Sequence, residues 1–197
     1  SYLNLNYFCF MTRIAIFASG SGSNAENIIR YFSNNNSVKV VLVLSNKSCS
    51  GVLIRAQLHN IPTFIFTKND LNESSKVHDV LKDYNASIIV LAGFLLKIPL
   101  YLIRAYPNSI LNIHPSILPK YGGKGMYGMN VHRAVVENNE QKSGITIHYV
   151  NENYDEGAII FQATCDVDEY DLPEDVKTKV QALELCHFPS VIESIIP

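Results

Sequence analysis

Apolar positions recur along this chain with two different periods, and the way those periods alternate is its first structural signal. Short runs that are β-branched or apolar almost throughout occur at residues 13–18, 38–44, 63–66, 87–91 and 109–114. They have the length and composition of strands buried on both faces. Between them lie amphipathic segments at 24–32, 52–59, 71–84 and 99–105, the last opening with a proline in its first turn. Strand and helix in regular alternation predict an α/β fold built on a doubly wound, mostly parallel sheet.

The rhythm changes past Pro119. A glycine-rich loop at 121–128 leads into a helix near 130–137, and two β-rich runs follow at 144–150 and 158–164, expected as antiparallel strands added at the sheet edge. A last helix is predicted from Pro173 through Leu185, with Pro189 marking a kink or a restart toward Ile196.

One strand departs from the apolar rule. In 109–114 a period of two places Asn112 and His114 on one face and Leu111 and Ile113 on the other. Such a polar pair at the carboxyl end of a buried strand is either a set of satisfied core groups or a piece of chemistry. The same period in 144–150 puts Thr146 and His148 together, opposite Ile145, Ile147 and Tyr149. His59, His78, His132 and His187 read as structural or exposed.

The turn after the first strand, Ala18-Ser19-Gly20-Ser21-Gly22-Ser23-Asn24-Ala25, joins a strand to a helix with small residues, which exposes backbone N–H groups to an anion. A monophosphate is the natural guest. Gly20, Gly22 and Ala25 also satisfy the loose dinucleotide pattern, but the second strand ends Leu44-Ser45-Asn46-Lys47, without the carboxylate that would hold a ribose. Lys47 would suit a 2′-phosphate, so a nicotinamide-dependent oxidoreductase stays open. A plain tight turn capped by Ser23 or Asn24 is the third alternative.

Composition narrows the partners. The formal net charge is −2 and no Lys/Arg run is present, which argues against a general nucleic-acid or membrane-surface binder and for small-molecule ligands. Cys9, Cys49, Cys165 and Cys186 form no C-x-x-C pair, so a zinc ribbon, a redox motif or a disulfide framework is not expected, and a reducing cytoplasm is. No histidine pair has metal-ligand spacing, and no metal is expected. Residues 1–10 are aromatic and apolar without a basic leader or cleavage site, and too short to span a bilayer. They are read as an appendage before Met11, a candidate start, with 11–197 forming one domain.

With the Gly-Ser-Gly-Ser-Asn turn, Leu91-Ala92-Gly93-Phe94 and Asn112-Ile113-His114-Pro115-Ser116 in place, the chain resembles the phosphoribosylglycinamide formyltransferases over residues 13–196. The resemblance implies a Rossmann-like formyltransferase fold. It also implies transfer of a formyl group from 10-formyltetrahydrofolate to the amine of glycinamide ribonucleotide, in purine biosynthesis, through a tetrahedral intermediate and without a metal.

The family's catalytic trio matches Asn112, His114 and Asp155. Asn112 is then a donor to the developing oxyanion, and His114 a donor and proton carrier. Asp155, in Asn153-Tyr154-Asp155-Glu156-Gly157, is expected to raise the His114 pKa and to take the amine's proton. The resemblance implies a supporting role at the site for His148, read either as a partner of Asp155 or as a packed histidine at the sheet edge. For the ribonucleotide the resemblance nominates Gly22, Ser23 and Asn24, with Gln181 and Glu184, which share a helix face. For the folate it nominates Leu95, Leu96, Ile98, Val150 and Asn151. Leu95-Leu96-Lys97-Ile98 departs from the Met-Arg-Ile-Leu of many members, so an Arg side-chain contact is not expected. The chain is expected to work as a monomer or homodimer.

Related formyl-handling enzymes are the nearest alternatives. Methionyl-tRNA formyltransferases carry a basic loop and a C-terminal tRNA-binding domain, where this chain has Lys120-Tyr121-Gly122-Gly123 and stops at Pro197. Formyltetrahydrofolate hydrolases carry an N-terminal regulatory domain, and ten residues precede Met11 here. A non-catalytic nucleotide-binding module of the same fold is a further alternative.

Overall fold

The computed structural model of the chain describes residues 11–196, so the expected appendage at 1–10 lies outside the described residues. Seven strands form one sheet: β1 (Thr12–Phe17), β2 (Val38–Ser45), β3 (Thr63–Ile65), β4 (Ile88–Leu91), β5 (Ile110–His114), β6 (Lys142–Tyr149) and β7 (Ile159–Asp166). Their order is β3-β2-β1-β4-β5-β6-β7. The pairs from β3 to β5 are parallel and the pairs β5·β6 and β6·β7 antiparallel, as the two late β-rich runs predict.

Among the described residues there are seven helices: α1 (Ser23–Phe32), α2 (Gly51–Leu58), α3 (Lys68–Asn72), α4 (Lys76–Asp83), α5 (Leu100–Ala105), α6 (Met129–Glu137) and α7 (Pro173–Ser194). The strand pleat sorts the core between the two faces. Ile14, Ile16, Val90, Leu111, Ile113, Ile145 and Ile147 belong to one buried cluster with side chains of α1, α2, α6 and α7. Ala15, Phe17, Leu42, Leu44, Ile89 and Leu91 belong to a second, with Leu71, Val77, Leu81 and Leu102 of α3, α4 and α5. Both faces of the central strands are therefore dry, which is why their sequences read as continuous apolar runs.

Three helix expectations are corrected. The segment 71–84 is two helices, because Thr67 and Asp70 close a capping box that starts α3 early, and the polar stretch 73–75 separates it from α4. Pro99 is extended and precedes the first turn of α5. Of the two alternatives at Pro189 the restart is excluded, because α7 runs through it to Ser194. A proline has no N–H for the carbonyl four residues earlier, and that carbonyl, on Leu185, accepts a hydrogen bond of 2.8 Å from Asn27 Nδ2 of α1. The tertiary contact supplies the donor that the helix lacks.

The winding reverses at β1. The chain moves from β1 outward through β2 to β3, then crosses to β4 on the other side, so the carboxyl ends of β1 and β4 open a crevice between diverging connections. The turn after β1 and the loop after β4 meet there, joined by a Ser19 N–H bond to the Gly93 carbonyl of 3.0 Å.

Candidate active site

The β1–α1 turn is held in its shape by a glycine. Gly22 caps α1 with φ +81°, a left-handed conformation, and a Cβ there would stand 2.6 Å from the Val52 backbone. Neither Ser23 nor Asn24 caps the helix with its side chain, contrary to one expectation from the sequence. Both side chains instead cross to α7: Gln181 Nε2 donates to Ser23 Oγ at 3.2 Å, and Asn24 Nδ2 donates to Glu184 Oε2 at 2.7 Å. The Asn24 Oδ1 is buried without a partner. Burial pushes the Glu184 carboxyl above its usual range, and the Asn24 bond only partly opposes it. The first helical turn thus keeps its backbone N–H groups and dipole facing the crevice.

At the end of β2 the Asn46 Oδ1 accepts a bond from the Ser19 hydroxyl at 2.6 Å. The same hydroxyl accepts from Leu95 N–H at 3.1 Å, which pins the start of the loop after β4. Leu95 therefore offers little free N–H to a ligand. Ile98 is buried in the second core cluster and anchors the loop's far end.

The polar strip predicted on β5 continues onto β6, because the antiparallel register sets Asn112 opposite His148 and His114 opposite Thr146. Asn112 Nδ2 lies 3.1 Å from His148 Nε2. His148 Nδ1 lies 2.9 Å from the Tyr149 carbonyl, an obligate acceptor. That carbonyl assigns the proton to Nδ1, so Nε2 accepts from the Asn112 amide and one Asn112 N–H remains for the cavity. Thr146 is fully buried: its hydroxyl donates to the Ser116 carbonyl and accepts from Leu118 N–H and Gln162 Nε2, holding the segment after β5.

Asp155 stands over both imidazoles. Its Oδ2 is 3.6 Å from His114 Nδ1, and its Oδ1 is 3.7 Å from His148 Nε2. Gly123 N–H donates to Oδ2 at 2.9 Å. The residue has φ +55°, a left-handed conformation that Asp adopts more readily than most side chains. Burial raises its pKa, but the His148 contact, the His114 charge and the Gly123 bond outweigh burial and leave the carboxyl below its ordinary value. It is an anion at neutral pH.

His114 is 4% exposed, and its Nε2 lies 2.7 Å from the Tyr121 carbonyl, which assigns the proton to Nε2. Burial lowers its pKa. Asp155 and the Tyr121 carbonyl push it up, as the sequence leads one to expect of the carboxylate, but burial prevails and the net shift is downward. The neutral ring then turns a bare Nδ1 lone pair toward a carboxylate, two acceptors with room for one proton. A proton delivered to that gap would be shared between the two groups.

All the residues nominated from the sequence line one cavity of about 420 Å³. Its lining includes Gly22, Ser23, Asn24, Gln181 and Glu184, then Leu95, Leu96, Ile98, Val150 and Asn151, and also Asn112, His114, His148 and Asp155. The sequence reading missed the Tyr121 carbonyl, the Gly123 N–H and the clamp at Thr146. His132, expected to be structural or exposed, is buried, and it also lines the cavity with its Nδ1 unpartnered. Among the described residues no group of His, Cys, Asp or Glu could hold a metal ion, and no helix is long and apolar enough to cross a membrane.

His132 carries a prediction of its own. Burial, then Lys177, then His114 hold its pKa down at about 4. The unfolded chain binds this proton near pH 6.5 and the folded chain near 4, so the stability present above 6.5 is lost as pH falls through that interval. The loss should reach about 2–3 kcal/mol at pH 4.5. Denaturant unfolding of the wild type and His132→Leu at pH 7.5 and 4.5 measures it; equal pH dependence in both proteins would exclude His132 as the cause.

Residues 12–192 match a family model described as formyl transferase. A phosphoribosylglycinamide formyltransferase of Arabidopsis thaliana, a chloroplastic protein, is 42% identical over 175 residues, covering 85% of this chain and 60% of that protein. Its Bacillus subtilis namesake is 34% identical, covering 94% of this chain and 95% of that one. The chain spans about 60% of the length of the plant relatives. The crystal structure of phosphoribosylglycinamide formyltransferase from Anaplasma phagocytophilum superposes with a TM-score of 0.85 at 31% identity, covering 93% of this chain and 86% of the other.

Proposed function

We propose a reaction from the premise that this chain belongs to the formyl transferase family, among the phosphoribosylglycinamide formyltransferases: it moves a formyl group from 10-formyltetrahydrofolate to the amine of glycinamide ribonucleotide. The observation that carries this reading is one cavity whose lining includes the N-terminal turn of α1, the loops after β4 and β6, and Asn112, His114 and Asp155. The matched span and the single sheet support residues 11–197 as one formyltransferase unit.

The ribonucleotide phosphate binds the N–H groups of Gly22, Ser23 and Asn24, and Gln181 and Glu184 take the remaining phosphate and ribose oxygens. The pterin lies along the backbone of Leu95, Leu96 and Ile98 and of Val150 and Asn151. Attack of the amine on the formyl carbon forms a C–N bond and leaves negative charge on oxygen and positive charge on nitrogen. The free Asn112 N–H stabilises the oxyanion. The amine's proton passes, directly or through water, into the acceptor gap between Asp155 and His114 Nδ1. Protonated His114 then serves both as a donor to the oxyanion and as the source of the proton for the departing folate nitrogen, and the C–N bond to the folate breaks. One proton leaves the amine and one reaches the folate, so the site returns to its starting state. His148 holds the Asn112 amide in register through Nε2 and lies beside Asp155.

No metal has a place in this sequence of steps, and a single chain supplies every side chain it uses. A reducing cytoplasm is the compartment proposed, from the scattered cysteines of the sequence. The test is to incubate the protein with 10-formyltetrahydrofolate, with and without glycinamide ribonucleotide, and to follow tetrahydrofolate. Release that requires the ribonucleotide is expected; release independent of it would replace the transferase by a hydrolase, and no release would leave a binding module.

A further inference from the structure

The phosphate end of the cavity is short of formal positive charge. The groups that face a phosphate there are N–H donors and the amides of Asn24 and Gln181, and the one formally ionisable side chain among the nominated five is Glu184, a carboxylic acid. A phosphomonoester carries close to two negative charges at neutral pH. Helix-terminal donors and a dipole are worth only about half an elementary charge, and an adjacent carboxylate works against them.

Lys97, Lys124 and Lys177 also line the cavity. Lys97 lies over the Tyr154 ring, 5.3 Å from its centroid, on the loop after β4 that forms the folate end. Lys124 belongs to the glycine-rich loop between β5 and α6. Lys177 is on α7, four residues before Gln181 and seven before Glu184, so the three stand in one row on one helix face.

The pairing of that row with the turn is sequential, Glu184 with Asn24 and Gln181 with Ser23. Continued by one turn of α7, the row sets Lys177 toward the glycines that precede Ser23. The Lys177 charge also acts on His132 in the cavity wall. Among the described residues Lys177 has neither a hydrogen bond nor an ion pair, whereas Lys179, two residues on, is held by Asp168 and Asp171.

We propose that Lys177 supplies the cation for the ribonucleotide phosphate and sets the enzyme's preference for a phosphorylated acceptor. This assignment rests on the transferase reading for the identity of the acceptor, and on the row of α7 side chains for its place. Lys177 does not touch the reacting atoms, so it acts on affinity and leaves the chemical step alone.

Lys177→Met and Lys177→Arg, both at an exposed position that the fold does not depend on, test it. With Lys177→Met the KM for glycinamide ribonucleotide should rise about tenfold, the scale of a charge-assisted contact, with kcat within twofold; Lys177→Arg should recover most of the affinity. The unphosphorylated glycinamide riboside should be used equally by wild type and Lys177→Met. An unchanged KM, or an equal rise for the riboside, overturns the assignment.

Calorimetric titration with ribose 5-phosphate separates this idea from the reaction itself. Equal binding by wild type and Lys177→Met, with ribonucleotide-dependent turnover, removes Lys177 and leaves the transferase. Binding lost in Lys177→Met, without formyl transfer by the wild type, keeps the phosphate site and removes the transferase. No binding by the wild type removes Lys177 as a phosphate ligand.

Discussion

Asp155→Asn should lower kcat about a thousandfold, within the range for loss of a positioned acid–base group, while leaving the KM for the ribonucleotide within a factor of three. The substitution isolates the charge. Asn retains an oxygen for the Gly123 N–H and tolerates φ +55°, so the loop has no reason to move. What it removes is the anion beside His114 Nδ1 and His148 Nε2. Without it the gap between residue 155 and His114 no longer favours a proton, and the His114 pKa falls further because the Asp155 charge is one of two influences raising it. Steady-state kinetics with a ribose 5-phosphate binding control reads both quantities. A kcat within tenfold of wild type would remove Asp155 from the reaction.

Gly157→Ala is the second large effect, and it acts by displacement. A Cβ on Gly157 would stand 1.6 Å from the Tyr149 carbonyl oxygen and 3.4 Å from His148 Nδ1. Backbone must therefore shift, at a cost of about 2 kcal/mol for a forced overpacking. The Tyr149 carbonyl is the acceptor that assigns the His148 proton to Nδ1, so the shift unsettles His148 and, through it, Asn112 and Asp155. Turnover should fall roughly a hundredfold, the scale of an ångström-sized misplacement in an active site. Denaturant unfolding and kcat measured together decide it: lowered stability with kcat within threefold of wild type would show that the network does not depend on that carbonyl.

Much of this architecture could be read from side-chain periodicity. The continuous apolar runs of β1, β2 and β4 reflect burial on both faces, and the interruption of that rule at Asn112 and His114 marked the strand where polar groups gather. Thr146 and His148 were visible as a polar face on the next β-rich run. What periodicity cannot carry is a backbone group. The Tyr121 carbonyl and the Gly123 N–H come from a loop with no repeating pattern, and nothing about their side chains announces them. Asp155 drew its nomination from family resemblance alone, since an Asp before Gly-rich turn residues is ordinary. The upward push of Asp155 on the His114 pKa was foreseeable, but the net direction was not, for a related reason: the carboxylate neighbour is a residue identity, whereas the burial that outweighs it is a property of the assembled fold. The break between α3 and α4 was legible in Thr67 and Asp70 as a local cap, and the helical period across residues 71–84 obscured it.

The Asn27 bond to the Leu185 carbonyl makes two remote positions epistatic. While residue 189 is proline, Asn27 is the donor that satisfies this acceptor, 158 residues away in the chain from Leu185. Were position 189 alanine, the helix would supply its own N–H and the amide of Asn27 would compete with it. The cost of a substitution at one position therefore depends on the other: replacing Asn27 should cost more while residue 189 is proline than after the helix has regained its own N–H.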